Sequence, residues 1–412
     1  MSKDLAGLPK GWKVLKLGDL GEINGGGTPS TKVPEYWNGE IAWLVPSEVT
    51  KNQGLYISKT VRSITKFGLN DCASKLFPIG TVMMTSRATI GEVVINQVPM
   101  ATNQGFINIG CHENLADNEF LAYWIKKNKT ALEARGSGVT FKEISRSIFK
   151  TIKISLPPLE EQRAIATTLR TIQTAKEARQ KELALERERK AALMDYLFTH
   201  GTRNELRKQT ELGEISESWE ILSFEKVVNI TNGQVKPFEK PYIDMLHVGS
   251  ENIESNTGRL MNLKTNREIK VISGNYYFNK QNILYSKIRP YLNKVAVPEF
   301  EGTCSADIYP LSPNESFLSR DFLFQLLLSE RFLKQAIKFQ ERTGIPKINR
   351  NQLGMIELTI PSLEEQQEIA EILSSCDAKI ATLEREIKLH DELFRAMLEE
   401  LMTGQLSSLP LA

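Results

Sequence analysis

Pro158-Leu159-Glu160-Glu161-Gln162 opens one charged helical run, and Pro361-Ser362-Leu363-Glu364-Glu365-Gln366 opens another half a chain later. After the second opening, Ile369, Leu373, Cys376, Ile380, Leu383, Ile387, His390, Phe394, Met397 and Leu401 recur at alternating steps of four and three. That spacing is a coiled-coil seam, with His390 its one strongly polar member. The equivalent positions after the first opening are Ile165, Leu169, Ile172, Lys176, Arg179, Leu183, Glu186, Lys190, Leu193 and Leu197, apolar at the ends and charged in the middle. Each run follows proline and closes on glycine, Gly201 or Gly404, as helix ends do. A helix of roughly 40 residues at about 1.5 Å each is near 60 Å long, too long to bury its stripe on one small globule. The two helices are therefore expected to pair. Chain order favours an antiparallel pair, in which mid-seam Lys176 and Arg179 meet acids such as Glu384 or Glu386.

The duplication runs through the rest of the chain. Trp12 in LPKGWKVLKLGDLGEI returns as Trp219 in ISESWEILSFEKVVNI, and Ser137-Gly138 stands before the first helix much as Thr343-Gly344 stands before the second. Two copies of this length are not a solenoid, whose repeats run to about 20–50 residues. The expected fold is α+β and pseudo-twofold: two globular α/β domains separated by two long helices forming an antiparallel coiled coil. The expected boundaries are residues 1–156, 157–203, 204–360 and 361–412. Ile41–Val45, Thr81–Met84, Glu92–Ile95, Asn282–Tyr285 and Val295–Val297 read as strands. Residues 118–129 and 320–339 read as one helix in each globule.

At 412 residues the chain exceeds one ordinary core, and its 41% hydrophobic content is that of a soluble globular protein. The net charge of +2 conceals an uneven distribution. Residues 10–153 carry 18 basic against 12 acidic side chains, residues 219–353 carry 18 against 14, and residues 361–412 carry 4 against 11. Two mildly basic globules suit a polyanion, and an acidic helix suits protein partners. No long apolar run or signal-peptide pattern is visible, and Cys72, Cys111, Cys304 and Cys376 are scattered, so a reduced, cytoplasmic chain is expected.

Three loops hold the candidate readers. Gly25-Gly26-Gly27-Thr28-Pro29-Ser30 is either a plain turn or a backbone cradle for phosphate, with Gly26 and Thr28 the contacts. Ser86, Arg87 and Thr89 in TSRATIG are matched with Ser286, Lys287, Arg289 and Tyr291 in YSKIRPY; basic groups among hydroxyls suit phosphates and guanine edges, or surface ion pairs. Asn103 and Gln104 in TNQGF face CSADI of the second copy and suit either adenine or a turn hydrogen bond.

Motifs for chemistry are missing. No Asp-Pro-Pro-Tyr or Asn-Pro-Pro-Tyr, nucleotide loop or nuclease cluster stands on a strand, and His112, His200, His247 and His390 lack metal spacing. Taken together, the LPKGWKVLKLGDLGEI opening, GGGTPS, SRATIG, TNQGF, YSKIRPYL and the paired P-x-LEEQ helices with Thr-Gly-containing ends resemble the specificity subunit of type I restriction–modification systems. The resemblance covers essentially the whole chain. It implies a non-catalytic protein whose globules are target recognition domains, each reading one half of a split site on double-stranded DNA. It also implies that the helices set the separation of those halves and bind two adenine methyltransferase subunits, sometimes with restriction and translocation subunits. No cofactor of its own is implied; S-adenosylmethionine, ATP and magnesium would belong to the partners. The specificity component of a related bifunctional restriction system is a close alternative. His200, interposed before Gly201, departs from the second copy and puts the end of that helix in doubt.

Overall fold

The computed structural model describes residues 8–52, 54–138, 142–339 and 346–407. It divides into two compact units, Met1–Lys181 with Leu383–Ala412, and Glu182–Thr382. The long helices are Leu159–His200 and Leu363–Thr403, so each unit contains part of both.

In the first unit a five-stranded sheet runs in the order Gly21–Gly25, Phe106–Cys111, Val82–Thr85, Val93–Asn96, Tyr56–Ile57. A second sheet flanks Trp37–Leu44 with Arg62–Ile64 and Met100–Thr102. Both faces of the central strands are covered, which is why Val82–Thr85 and Val93–Asn96 are buried at every residue. Lys13–Lys16 pairs antiparallel with Lys153–Leu156, tying the opening of the globule to the residues that enter the first long helix. Phe120, Tyr123, Phe149, Ile165, Leu169, Leu401 and Met402 share one core, so the globule and both helix ends are a single hydrophobic body.

The second unit repeats this plan. Its sheets run Val228–Ile230, Ile308–Pro313, Ile283–Ser286, Val295–Ala296 and Lys264–Thr265, Leu246–Val248, Gly302–Cys304, Tyr276–Phe278. Glu220–Ser223 pairs with Glu357–Ile360 in the place of the first unit's tie. Trp219, Phe322 and Phe332 share a core with Leu197 and Phe198 of the first helix and Ile369 and Leu373 of the second.

The expected helix over 320–339 is two helices, Arg320–Leu328 and Glu330–Lys338. Ser329 breaks it by taking extended backbone; its Oγ donates to Leu326 O at 2.6 Å and accepts from Phe332 N at 3.2 Å. A serine that satisfies both helix ends is more stable as a cap than as an interior residue. The helix expected over 118–129 likewise ends at Lys127, where Asn128 Nδ2 donates to Trp124 O, and a second begins at Lys129.

Every seam position of both helices is buried or half-buried. In the first unit Ile165, Leu169, Leu383 and Leu401 are buried and Ile172, Ile387 and Phe394 half-buried; in the second, Leu197, Ile369 and Leu373 are buried and Leu183, Leu193 and Ile380 half-buried. Of the polar entries, Lys176, Arg179 and Lys190 are paired across the seam, while Glu186 pairs with Arg189 of its own helix. Lys176 Nζ lies 2.5 Å from Asp391 Oδ1 and Arg179 Nε 2.9 Å from Glu386 Oε2. Lys190 Nζ lies 2.6 Å from Asp377 Oδ1, and Lys379 Nζ 2.8 Å from Glu182 Oε1. Rising residue numbers on one helix meet falling numbers on the other within each unit, so the pairing is antiparallel. Such half-buried pairs add little net stability but reject other registers, where a charge would be left alone.

The repeated sequence words converge on one junction in each unit. In the first, Trp12 Nε1 donates to Glu161 Oε2 at 3.1 Å, while Gln162 Nε2 donates to Leu115 O and Pro157 O and its Oε1 accepts from Asp117 N. In the second, Trp219 Nε1 donates to Glu365 Oε2 at 3.0 Å, and Gln366 makes the same three bonds to Phe317 O, Pro361 O and Ser319 N. The closing glycines complete the junctions. A Cβ on Gly404 would lie 2.3 Å from Pro9 Cγ and 3.2 Å from Trp12 Cζ2. A Cβ on Gly201 would lie 2.1 Å from Glu365 Oε1 and 3.0 Å from Trp219 Cζ2, and both glycines have left-handed backbone. The P-x-LEEQ motif is thus a clamp between helix and globule, and its glutamate and glutamine are buried polar groups with their partners supplied. His200 continues the first helix by one residue and stacks on Tyr196, leaving Gly201 to cap it.

Candidate nucleic-acid interface

The three candidate loops of the first globule meet. Gly27 N donates to Thr102 O at 2.9 Å, and a Cβ on Gly26 would lie 2.0 Å from Asn103 O, so only glycine lets the two loops touch. Thr28 Oγ1 donates to Gln104 Oε1. Asn103 Oδ1 accepts from Gly105 N at 2.9 Å, which makes Asn103 the turn-builder of its loop. Ser86 is buried, with its N donating to Gly105 O and its O accepting from Ile144 N. Thr89 N donates to Arg87 O in a tight turn around Ala88, whose φ is +60°.

Gly26, Ser86, Arg87 and Gln104 line one cavity of about 570 Å³. Thr89 and Asn103 do not line it. The sequence reading missed the rest of its polar wall: Glu143, Ser145, Arg146, Ser147 and Lys150. Ser145 caps the helix Arg146–Thr151 by accepting from Ile148 N, and the helix sets the exposed Arg146 and Lys150 at the cavity. Neither cation has a partner among the described residues, whereas Arg87 Nε lies 2.9 Å from Glu143 Oε1. A walled groove with three cations, hydroxyls and one carboxylate accepts an anion and can also read a base edge. Among the described residues no cluster of histidine, cysteine or carboxylate side chains could hold a metal ion, and no helix is long and apolar enough to cross a membrane.

The second globule corrects the match between the two loops. Arg87 was paired with Lys287, but the backbone bonds shift that pairing by one residue. The strands end at Thr85 and Ser286. The next residues, Ser86 and Lys287, donate to Gly105 O and Asp307 O and accept from Ile144 N and Ile348 N. Ala88 and Arg289 are then the left-handed residues, with their N–H groups on Lys142 O and Pro346 O. Arg87 therefore corresponds to Ile288, and its bridge partner Glu143 to Lys347. The likeness of basic residues in the two strings concealed this one-residue slip. By contrast, the match of TNQGF with CSADI agrees with the bonding: Ser305 Oγ accepts from Asp307 N as Asn103 Oδ1 accepts from Gly105 N. Thr343-Gly344 lies outside the described residues.

Lys287 Nζ lies 3.7 Å from Asp307 Oδ1 and 5.4 Å from the Tyr309 ring centre. Ser286 is buried and shares a hydrogen bond with Ser250 Oγ, so it builds the loop. Arg289 and Tyr291 are exposed, and the Arg289 side chain has no partner among the described residues. Arg350 stands where Arg146 does, at the first position of the short helix Arg350–Gly354, but it is consumed by structure. Its Nη1 and Nη2 donate to Ile230 O at 3.0 Å and Thr231 O at 2.6 Å, and its guanidinium faces Tyr309 and Tyr276.

The family model for the type I restriction modification DNA specificity domain matches residues 9–187 and again 205–390, one copy for each half of the chain. The type I restriction enzyme MjaIX specificity subunit of Methanocaldococcus jannaschii is 29% identical, over 98% of this chain and 95% of its own length. The EcoDI specificity subunit of Escherichia coli is 31% identical over 66% of each chain. Among solved structures, the S subunit of a type I restriction–modification system from M. genitalium matches at a TM-score of 0.59 and 14% identity, over 97% of this chain and 98% of that one. A chain from a structural study of complex assembly and conformational transition in the type I system matches equally well, at 17% identity. The protein belongs to the type I restriction–modification DNA specificity family.

Proposed function

We propose that this chain reads a split DNA sequence and carries the enzymes that act there. Residues 1–156 and 204–360 are the two recognition domains, one for each half of the target. Residues 157–203 and 361–412 hold two adenine methyltransferase subunits and, where restriction occurs, the restriction and translocation subunits. The observation that carries this reading is the contrast within the duplication. The junctions Trp12–Glu161–Gln162 and Trp219–Glu365–Gln366 repeat the tryptophan-to-glutamate bond and the three glutamine bonds, the second adding Thr202 N to Glu365 Oε1 at 2.8 Å, while equivalent backbone positions at the loops carry Arg87 and Glu143 in one globule and Ile288 and Lys347 in the other. A repeated mount with two different faces suits two different half-sites. The candidate contacts are Gly26, Thr28, Arg87 and Gln104 in the first globule and Lys287, Arg289 and Tyr291 in the second; Ser86, Thr89, Asn103 and Ser286 shape the loops.

The test is to combine the purified chain with an adenine methyltransferase subunit and S-adenosylmethionine, and to map methylated adenines by sequencing. Methylation at one split sequence, none from the chain alone, and a complex mass fitting two methyltransferase subunits per chain are expected. Methyl transfer by the chain alone, or methylation without sequence preference, would refute the proposal.

A further inference from the structure

The cavity of the first globule contains an arginine beside a carboxylate. Arg87 and Glu143 face each other across a β-bridge, flanked by Ile144 N to Ser86 O at 3.0 Å and Ala88 N to Lys142 O at 3.3 Å. Glu143 is fixed again from its other side, where its N and O exchange bonds with Ser137 O and N at 2.9 and 3.0 Å. The backbone of both residues is therefore set before any ligand arrives. The side chains form an ion pair: Glu143 Oε1 sits 2.9 Å from Arg87 Nε, a nitrogen sealed from solvent that closes no hydrogen bond. The Arg87 side chain as a whole is 43% exposed. Among the described residues nothing takes Nη1 or Nη2.

An arginine ion-paired on its Nε side keeps its outer edge, the two parallel N–H groups, for a ligand. Two donors in a planar fork match the O6 and N7 acceptors of guanine in the major groove, and a carboxylate beside Nε favours the orientation that turns the fork outward. A phosphate would also accept that fork, but Glu143 on the cavity wall repels it. Arg146 and Lys150, unpaired on the same wall, are better placed to take the phosphate. We propose that Arg87 reads a guanine in the half-site of the first globule and that Glu143 is its positioning residue. This rests on the reading of that globule as a DNA reader, and it adds the base and the residue pair.

The experiment uses the chain assembled with its methyltransferase subunits. The wild-type motif is mapped first, and the half belonging to residues 1–156 is assigned by exchanging that segment with a relative's. Binding is then measured to duplexes altered at each position of that half-site, for wild type, Arg87→Lys, Arg87→Ala and Glu143→Gln. Arg87→Lys keeps the charge and loses the fork. It should retain the salt dependence of binding while discrimination at a single G·C pair falls by about 5- to 150-fold. Arg87→Ala should relax the same pair. Glu143→Gln keeps the shape and should relax that pair by a smaller factor, with its melting temperature and the other positions unchanged, a pattern a merely structural role would not give. Uniform weakening on all sequences with a lower salt slope in Arg87→Ala would make Arg87 a phosphate contact and overturn the proposal. Relaxation at an A·T pair, or an unaltered profile in Arg87→Lys, would overturn it too. A wild-type complex that yields no motif would instead sink the DNA-reader assignment beneath it.

Discussion

The two globules are mounted on the helices by the same tryptophan and glutamine bonds and differ at their candidate reading loops. At the mounts, tryptophan, glutamate, glutamine and the closing glycine occupy matching places with matching bonds. At the loops the backbone ladder repeats, yet Arg87 and Glu143 give way to Ile288 and Lys347, and the unpaired Arg146 to the fully bonded Arg350. The buried clamp tolerates little change, because each removed group strands a partner. The loop ladder is backbone, so its side chains are free to differ. Divergence collects where hydrogen bonds do not depend on side-chain identity.

The largest effect should come from breaking the mounts. Trp12→Ala and Trp219→Ala each remove a buried indole and leave a buried carboxylate short of a donor, and each should cost about 3–5 kcal/mol. Hydrogen exchange on the full chain reads the units separately: Trp12→Ala should open the first and Trp219→Ala the second. If one substitution is silent while the other unfolds its unit, the mounts are not energetic equivalents.

The next effect separates two arginines at one position. Arg350→Ala leaves the carbonyls of Ile230 and Thr231 without their donor and should lower stability by about 1–3 kcal/mol, with the salt slope of DNA binding unchanged. Arg146→Ala should do the reverse, leaving the melting temperature alone and reducing the salt slope by about one if Arg146 meets a phosphate. Equal loss of stability in both variants would mean that Arg146, too, is structural.

These two arginines also show what could be read from the chain. The helices were legible because ten positions in each, mostly apolar or charge-paired, keep one period, and that period survives without knowledge of the globules. The repeat was legible where a large residue with one suitable environment, Trp12 or Trp219, marks it. The loop register was not, since it is set by bonds between residues far apart in sequence, such as Ile144 N to Ser86 O and Ile348 N to Lys287 O. Matching basic with basic slid the frame by one. Arg146 was overlooked as a single charge in an unremarkable string. Its signal was available: Arg146 and Arg350 stand equally far before the two LEEQ motifs. Gly26 was singled out for phosphate, whereas its bareness is first required by the close approach of Asn103 O.

The smallest effect concerns the seam of the first unit and is read by pH. In the first unit Asp391 accepts from Lys176 Nζ, and that hydrogen bond holds its carboxyl below the ordinary aspartate value, against the opposing push of burial and aided by the charges of Lys176 and Arg395. A carboxyl whose value is depressed by folding stabilises the fold fully above its unfolded value, and the contribution disappears as pH falls through the folded one. Asp391 is half-buried at the edge of the seam and still reached by water, so the gain is about a few tenths of a kcal/mol, in the range that partly exposed pairs give. Asp391→Asn should therefore unfold slightly more readily than wild type at neutral pH, and the gap should close as the solution is acidified past the ordinary aspartate value. The paired position in the second unit, Asp377, is bound by Lys190 and by Gln325 Nε2 at 3.0 Å. Hydrogen exchange of the Leu383–Thr403 backbone amides in Asp391→Asn and in wild type, followed from neutral to acid pH, gives the measurement. A gap at Asp391 that stays constant down the acid range would show that its ion pair contributes nothing, and that the seam there is held by its other contacts, Ile387 and Phe394 among them.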